Sequence, residues 1–460
     1  MIGLIALLIG FTNPWMPTLD ALGHKVLMSV LITMGLWIFK PGNLPFSASG
    51  CLMMLLLIAF KVKPADVFSG FTSTAIWTLI PALYFGFVLA KTGLGKRIAY
   101  LVMKMFKPSF PSMMIAWVII GVALSMLTPS ITVRVAIIMP VAVSCIEVCR
   151  LQGNSRGGAL ILLTAWAMAL LPGTGWLTGS LWGPILQGMY NAVPELNGLI
   201  TFSTWSQVSL LPMELTSLLL VVLGYLVFRP TEKIAMTQES FQKEYASLGP
   251  WTKPEIYTAL ILSLCFLLFV TSKVHQLPDV VIVLGGLFAL AVVGVINTTE
   301  ISQGINWDLV VFIGVSMGLG TVFAKTGVSQ WLTIVLVPLI EPLAANPWLF
   351  VFGITSFLFL WRFVDVAILM PTVAILTPVL PTIAKDFGIN PLVWSTIFVM
   401  AANCFFLRYQ NMWALVAESI AGDKGWAPSQ LSKYGLIYLV ACLVSLAITI
   451  PYWISIGMFQ

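Results

Sequence analysis

Long apolar runs separated by short polar breaks set the pattern of this chain. Residues 210–228 and 256–270 carry almost no charge, and a helix crossing a bilayer core needs about 20 apolar residues. Taken in order, the runs predict helices over 2–14, 19–39, 48–60, 72–90, 157–190, 207–228, 255–271, 279–295, 308–324, 391–420 and 431–454, with an interfacial piece at 329–343. Two apolar stretches, 111–150 and 346–386, fit no single crossing. Pro129-Ser130 interrupts the first near its centre. Each arm would then be about 24 Å of helix at 1.5 Å per residue, short of a ~30 Å core. That length suits a re-entrant hairpin, and a non-helical tip at membrane depth is tolerated where it lines a cavity or packs in protein.

The expected fold is therefore an all-α polytopic membrane protein with about eleven transmembrane helices and two re-entrant helical hairpins. The expected divisions are N-terminal helices at 1–47, a first repeat at 48–229, a cytoplasmic linker at 230–253 and a second repeat at 254–460. In the first repeat the hairpin is 111–150 and an interrupted helix spans 157–190; in the second they are 346–386 and 391–420.

Composition agrees with the pattern. Hydrophobic residues make up 59% and charged residues 9%, against roughly 25% charged in a soluble domain. The net charge of +6 belongs to basic loops and gives no reason to expect nucleic acid. Six cysteines lie scattered in apolar runs without disulfide or metal-ligand spacing. The apolar start lacks the basic region of a cleavable signal. With no nucleophile–base pair, metal cluster or phosphate loop, an enzyme is not expected.

The halves echo each other. Ala-Lys-Thr-Gly occurs at Lys91 and again at Lys325, 234 residues on, and Ile137-Ile-Met-Pro140 has a counterpart at Ile368-Leu-Met-Pro371, 231 on. Five expected crossings separate Lys91 from Lys325, so the copies fall on opposite sides. Lys96, Arg97, Lys104 and Lys107 follow the first copy, whereas no Lys or Arg follows the second until Arg362. The positive-inside rule then makes the Lys91 side cytoplasmic, with the N-terminus inside and the C-terminus outside a plasma (inner) membrane. Inverted halves with interrupted helices are the pattern of secondary transporters, which bind substrate near the midplane.

Charges within the apolar stretches mark the candidate site. The first tip offers Thr128, Ser130, Thr132 and Arg134, and the second Arg362 and Asp365; Arg408 and Asn403 follow in the next helix. Hydroxyls, a helix N-terminus and arginine forks suit a small anion. Arg362 and Asp365, three apart, alternatively satisfy each other, and Arg134 alternatively pairs or snorkels to the cytoplasm. The break at Gly173, Thr174 and Gly175, with Ser130 and Asp365, is the candidate coupling site for Na+ or H+. No metal-binding cluster and no cofactor are expected.

Phe68-Ser-Gly-Phe-Thr-Ser-Thr-Ala-Ile-Trp77, Lys91-Thr-Gly-Leu-Gly-Lys-Arg-Ile98 and Thr128-Pro-Ser-Ile-Thr-Val-Arg134 resemble the divalent anion/sodium symporter family over nearly the whole chain. The resemblance implies a homodimer that moves dicarboxylates, citrate or sulfate by sliding a transport domain against a scaffold. Ile131 stands where the family's Ser-Asn-Thr signature has Asn, and Trp361-Arg-Phe363 replaces the second copy. The expected function is secondary transport of a small divalent organic anion, as symporter or exchanger. A sulfate or sulfonate carrier and a cation- or proton-coupled carrier of the same superfamily are the alternatives, ahead of a channel.

Overall fold

The computed structural model describes residues 2–232, 234, 238–365 and 369–459. Its first helices are α1 (Ile2–Thr12), α2 (Ala21–Phe39), α3 (Phe46–Ala59), α4 (Thr74–Lys91) and α5 (Leu94–Met103). Then come α6 (Phe110–Leu127), α7 (Ile131–Val148), α8 (Arg156–Leu170), α9 (Trp182–Asn191) and α10 (Phe202–Phe228). Beyond the polar linker lie α11 (Lys253–Val270), α12 (Asp279–Val292), α13 (Trp307–Lys325), α14 (Val328–Ala344) and α15 (Pro347–Trp361). The chain ends with α16 (Met370–Leu376), α17 (Leu380–Phe387), α18 (Pro391–Ala402), α19 (Met412–Ala421) and α20 (Pro428–Ser455). No strand occurs among the described residues, apart from one isolated bridge between Ile389 and Phe459.

Nine spans among the described residues are long and apolar enough to cross a membrane. Shorter apolar helices, including α3, α12 and α18, accompany them. Their outer faces identify the surrounding solvent. On α11, Ile256, Leu260, Leu264 and Leu267 are exposed in one stripe, while Thr258, Leu262, Cys265 and Phe269 are buried on the other face. Leu436, Val440, Val444 and Ile448 form a second such stripe on α20. Exposed apolar rows of this length mark contact with lipid. The molecule is an all-helical integral membrane protein.

At the centre lies α8, on which every residue from Gly157 to Leu170 is buried. It stops because Pro172 cannot continue the ladder; a short 3₁₀ turn at Pro172–Gly175 follows, and helix resumes only at Trp182. α18 ends similarly at Ala402, and α19 restarts at Met412, capped by the Asn411 side chain.

The arms α6 and α7 are 18 residues each, longer than the sequence reading allowed. Only Thr128–Ser130 interrupts them. Thr128, placed before a proline, is pushed to extended geometry with ψ 137°. Ser130 then restarts helix at once by capping the Val133 amide.

The two Ala-Lys-Thr-Gly segments share one local structure. In each, the threonine hydroxyl donates to a carbonyl four residues back, Thr92 to Val88 at 2.7 Å and Thr326 to Val322 at 2.8 Å. Gly93 (φ 80°) and Gly327 (φ 73°) then stop the helix in the left-handed region, which glycine adopts without strain. They sit at opposite ends of the bundle. Lys91 bonds Glu300 at 2.6 Å and the Val295 carbonyl at 2.7 Å, just ahead of α13, whereas Lys325 is the last residue of α13. A 19-residue helix spans about 28 Å. The second landmark pair includes Ile368, which lies outside the described residues.

Candidate anion site and its arginines

A cavity of about 790 Å³ lies between the ends of α2 and α13 on one side and the N-termini of α7 and α19 on the other. Ser130, Thr132 and Val133 bring the first turn of α7 to its wall, and Tyr409, Met412 and Trp413 bring that of α19. Helix N-termini carry amides with no intrahelical acceptor and the positive end of the dipole. α7 is fixed here because Gly86 on α4 leaves room for the tip: a Cβ at Gly86 would meet the Thr128 hydroxyl oxygen at 2.6 Å. Across the cavity, the Trp413 indole donates to the Thr132 hydroxyl at 3.2 Å, tying the two N-termini together.

Two charged side chains line this cavity among the described residues, Lys40 and Asp308. Asp308 accepts from the amides of Ser47 (2.7 Å) and Phe46 (3.3 Å) at the start of α3. That helix end compensates its charge. Lys40 caps the C-terminal end of α2 at φ 41° and lies 3.4 Å from the centre of the Phe46 ring. Neither residue was singled out by sequence, because each reads as an ordinary charge at a helix end. Their meeting joins segments 268 residues apart.

The arginines are placed differently from the sequence expectation. Arg134 is fully buried and is not in the cavity wall. Its Nε donates to the Ala169 carbonyl at 2.8 Å and its Nη1 to the carbonyls of Thr128, at 2.9 Å, and Gly179. Nη2 has no hydrogen-bond partner in the protein. Four residues into α7, the side chain emerges behind the tip rather than ahead of it, towards the break after α8. Gly173, expected to help coordinate a cation there, lies directly against this guanidinium: a Cβ on it would meet Nη1 at 2.5 Å. Thr174 turns its hydroxyl to the Leu171 carbonyl at 2.5 Å, its own carbonyl accepts from the Trp205 indole, and Gly175 packs on Leu210 of α10.

At the second tip Arg362 is also fully buried. It donates to the main-chain carbonyls of Asp365 and of Gln410, the latter at the break before α19. Arg362 and Asp365 thus meet through backbone oxygen. The Asp365 carboxylate accepts from the Thr372 hydroxyl at 2.5 Å, and that hydroxyl accepts from the Trp361 indole.

Arg408 departs furthest from expectation. It sits in an exposed 3₁₀ turn, its side chain 56% exposed, and pairs with Glu418 at 2.7 Å. The turn that ends α18 carries it out of the bundle. Asn403 is buried at the end of α18, and neither atom of its amide finds a protein partner. Of the residues expected to bind substrate, Ser130 and Thr132 reach the cavity, and Thr128 supports the tip by accepting the Ser130 amide at 3.0 Å.

A bundle of membrane-spanning helices encloses a largely apolar cavity whose wall carries a few polar groups and two charges, and its family and relatives make the protein a membrane transporter rather than an enzyme. The chain belongs to the family described as "Sodium:sulfate symporter transmembrane region", whose model matches residues 1–459. Among its relatives, a "Membrane protein" of Cupriavidus necator is 24% identical over 98% of this chain and 91% of its own. "Dicarboxylate transporter 1, chloroplastic" of Arabidopsis thaliana is 24% identical over 65% of this chain and 54% of its own length. "Putative malate transporter YflS" of Bacillus subtilis is 23% identical over 58% and 57%. The fold is shared with two solved transporters. The YdaH transporter of Alcanivorax borkumensis superposes with a TM-score of 0.56 at 14% identity, covering 88% of this chain and 90% of its own. MtrF of Neisseria gonorrhoeae superposes with a TM-score of 0.57 at 13% identity, covering 97% of each.

Proposed function

We propose that the protein is a secondary active transporter of a small divalent organic anion of the dicarboxylate class. The observation that carries this reading is the convergence of two helix N-termini, Ser130, Thr132 and Lys40 on one cavity. Its volume lies in the range that encloses a small ligand. Hydroxyl and amide donors at the tip would take one carboxylate, and Lys40 would supply the counter-charge to the other. The dicarboxylate and malate transporters among the relatives support the choice of substrate.

In this reading α6–α7 and α15–α17 are re-entrant hairpins of two inverted halves, divided as the sequence suggests. Together with the interrupted helices they form the part that slides, elevator-fashion, against a scaffold containing α2, α3 and α13. The Lys91 side faces the cytoplasm of a plasma (inner) membrane, so the cavity opens inward, and two copies assemble as a dimer.

Purified protein in liposomes should take up labelled succinate or malate. Failure with a panel of dicarboxylates, citrate and sulfate would overturn the proposal. Sulfate is the second reading, favoured by the family description, and competition between sulfate and succinate separates the two.

A further inference from the structure

The apolar side chains of the anion cavity form two groups on its opposite walls. On the wall made by α2, α3 and α13, the half-buried Phe46 ring lines the cavity, with Trp37 and Phe312 packed against it. The Phe312 ring lies 4.7 Å from Trp37, edge to face, and 4.8 Å from Phe46. The Trp37 indole donates to the Phe46 carbonyl at 3.0 Å, so it brings no free donor to the wall. On the opposite wall the Tyr409 ring, Met412 and Leu415 are exposed, and all three line the cavity. The lipid-facing rows on α11 and α20 contribute no residue to it. Exposed apolar groups that face a cavity with charged walls, rather than lipid, mark a ligand surface. The polar groups are fewer. Asp308 and Asn306 are turned to helix amides, and Gln303 adds a neutral amide. The hydroxyls of Ser130 and Thr132 accept from Val133 and Trp413 and keep their own hydrogens to donate. Lys40 stands 3.4 Å from the centre of the Phe46 ring.

We propose that the preferred substrate is a dicarboxylate whose carboxylates are carried on an aromatic body, such as a benzene dicarboxylate. This rests on the dicarboxylate reading above. One carboxylate takes the Ser130 and Thr132 hydroxyls and the first amides of α7, and the other takes the Lys40 ammonium. The ring lies against Phe46 on one wall and Met412 and Leu415 on the other. Aromatic rings pair edge to face or offset, a methionine side chain adapts its shape to a ring, and apolar surface removed from water strengthens binding. Succinate makes the same charged contacts but leaves most of that wall wet, so it binds more weakly. The space suffices, since about 790 Å³ lies in the range that encloses a ligand much larger than a four-carbon diacid.

Competition and direct uptake test this. Entry of labelled succinate into proteoliposomes is titrated with unlabelled succinate, with the three ring isomers of benzene dicarboxylate, and with benzoate. At least one isomer should inhibit at a concentration about tenfold or more below that of succinate, and the same isomer, labelled, should itself enter. Benzoate, with the ring and a single carboxylate, should inhibit far less. Succinate uptake that no isomer inhibits better than succinate does overturns the aromatic body and leaves the dicarboxylate reading standing. An isomer that competes but does not enter overturns it as well. If neither succinate nor any isomer binds the purified protein in titration calorimetry, both readings fall. Met412→Ser should reduce the preference for the isomer over succinate by at least about threefold. General damage to the protein moves both constants alike and leaves their ratio intact, so an unchanged ratio overturns the placement of the ring. If that variant does not fold, the wild-type competition still decides.

Discussion

Gly173 and Arg134 share one space: the guanidinium lies where the smallest side chain on residue 173 would have to go. Gly173→Ala would meet the Gly179 carbonyl oxygen at 2.1 Å and then the guanidinium at 2.5 Å, so it should disturb both that carbonyl and the buried charge bonded to it. Overpacking combined with a lost charged hydrogen bond costs about 2–4 kcal/mol. The expected result is a clearly lower unfolding midpoint and transport reduced by at least about tenfold. An unchanged midpoint would mean that the break rearranges freely.

Lys40 is the cationic side chain of the cavity wall. Replacing it with Gln should raise the substrate KM by about tenfold or more and leave the unfolding midpoint nearly unchanged. Lys40→Arg should retain most of the affinity. Uptake kinetics over a range of succinate concentrations provide the check.

Thr132 faces the cavity and accepts from the Trp413 indole. Thr132→Val keeps the volume and removes the hydroxyl. The expectation is a weaker anion site, with KM up by roughly threefold to tenfold for one lost hydrogen bond. Trp413→Phe, which removes the donor on the other side, should have the smaller effect on KM.

Arg408 pairs with Glu418 in an exposed turn, so Arg408→Ala should cost under about 1 kcal/mol and leave substrate KM unchanged. A large loss of anion affinity would contradict the geometry and return Arg408 to the site.

The Lys91–Glu300 contact is expected to depend on pH. The Lys91 ammonium, with the Asn297 amide, holds the Glu300 carboxyl below the usual carboxylate value. A depressed folded-state value means that the contribution is present above the unfolded pKa and is lost as pH falls through the folded one. The pair is partly exposed, at 35% and 20%, so a double-mutant cycle should give under about 1 kcal/mol at neutral pH. It should give nothing in strong acid.

The sequence by itself determined the solvent of this protein and its all-helical make-up. Apolar runs, few charges and two spaced Ala-Lys-Thr-Gly copies depend on local composition and order, because lipid demands internally bonded helices wherever they lie in the fold. The hydroxyls of Ser130 and Thr132 were legible for the same reason: Pro129 breaks the run, and the next residues must cap a helix. The roles of the arginines were not legible. Arg134, Arg362 and Arg408 look alike as charges in apolar sequence, but their partners are main-chain oxygens and an acid brought in from other segments. Only the packing decides that Arg134 reaches carbonyls at positions 169 and 179, and that Arg362 reaches position 410. It also decides that Lys40, rather than any of them, faces the cavity. A backbone carbonyl has no residue identity, so a site built from carbonyls leaves no motif, and tertiary structure alone reveals what fills it.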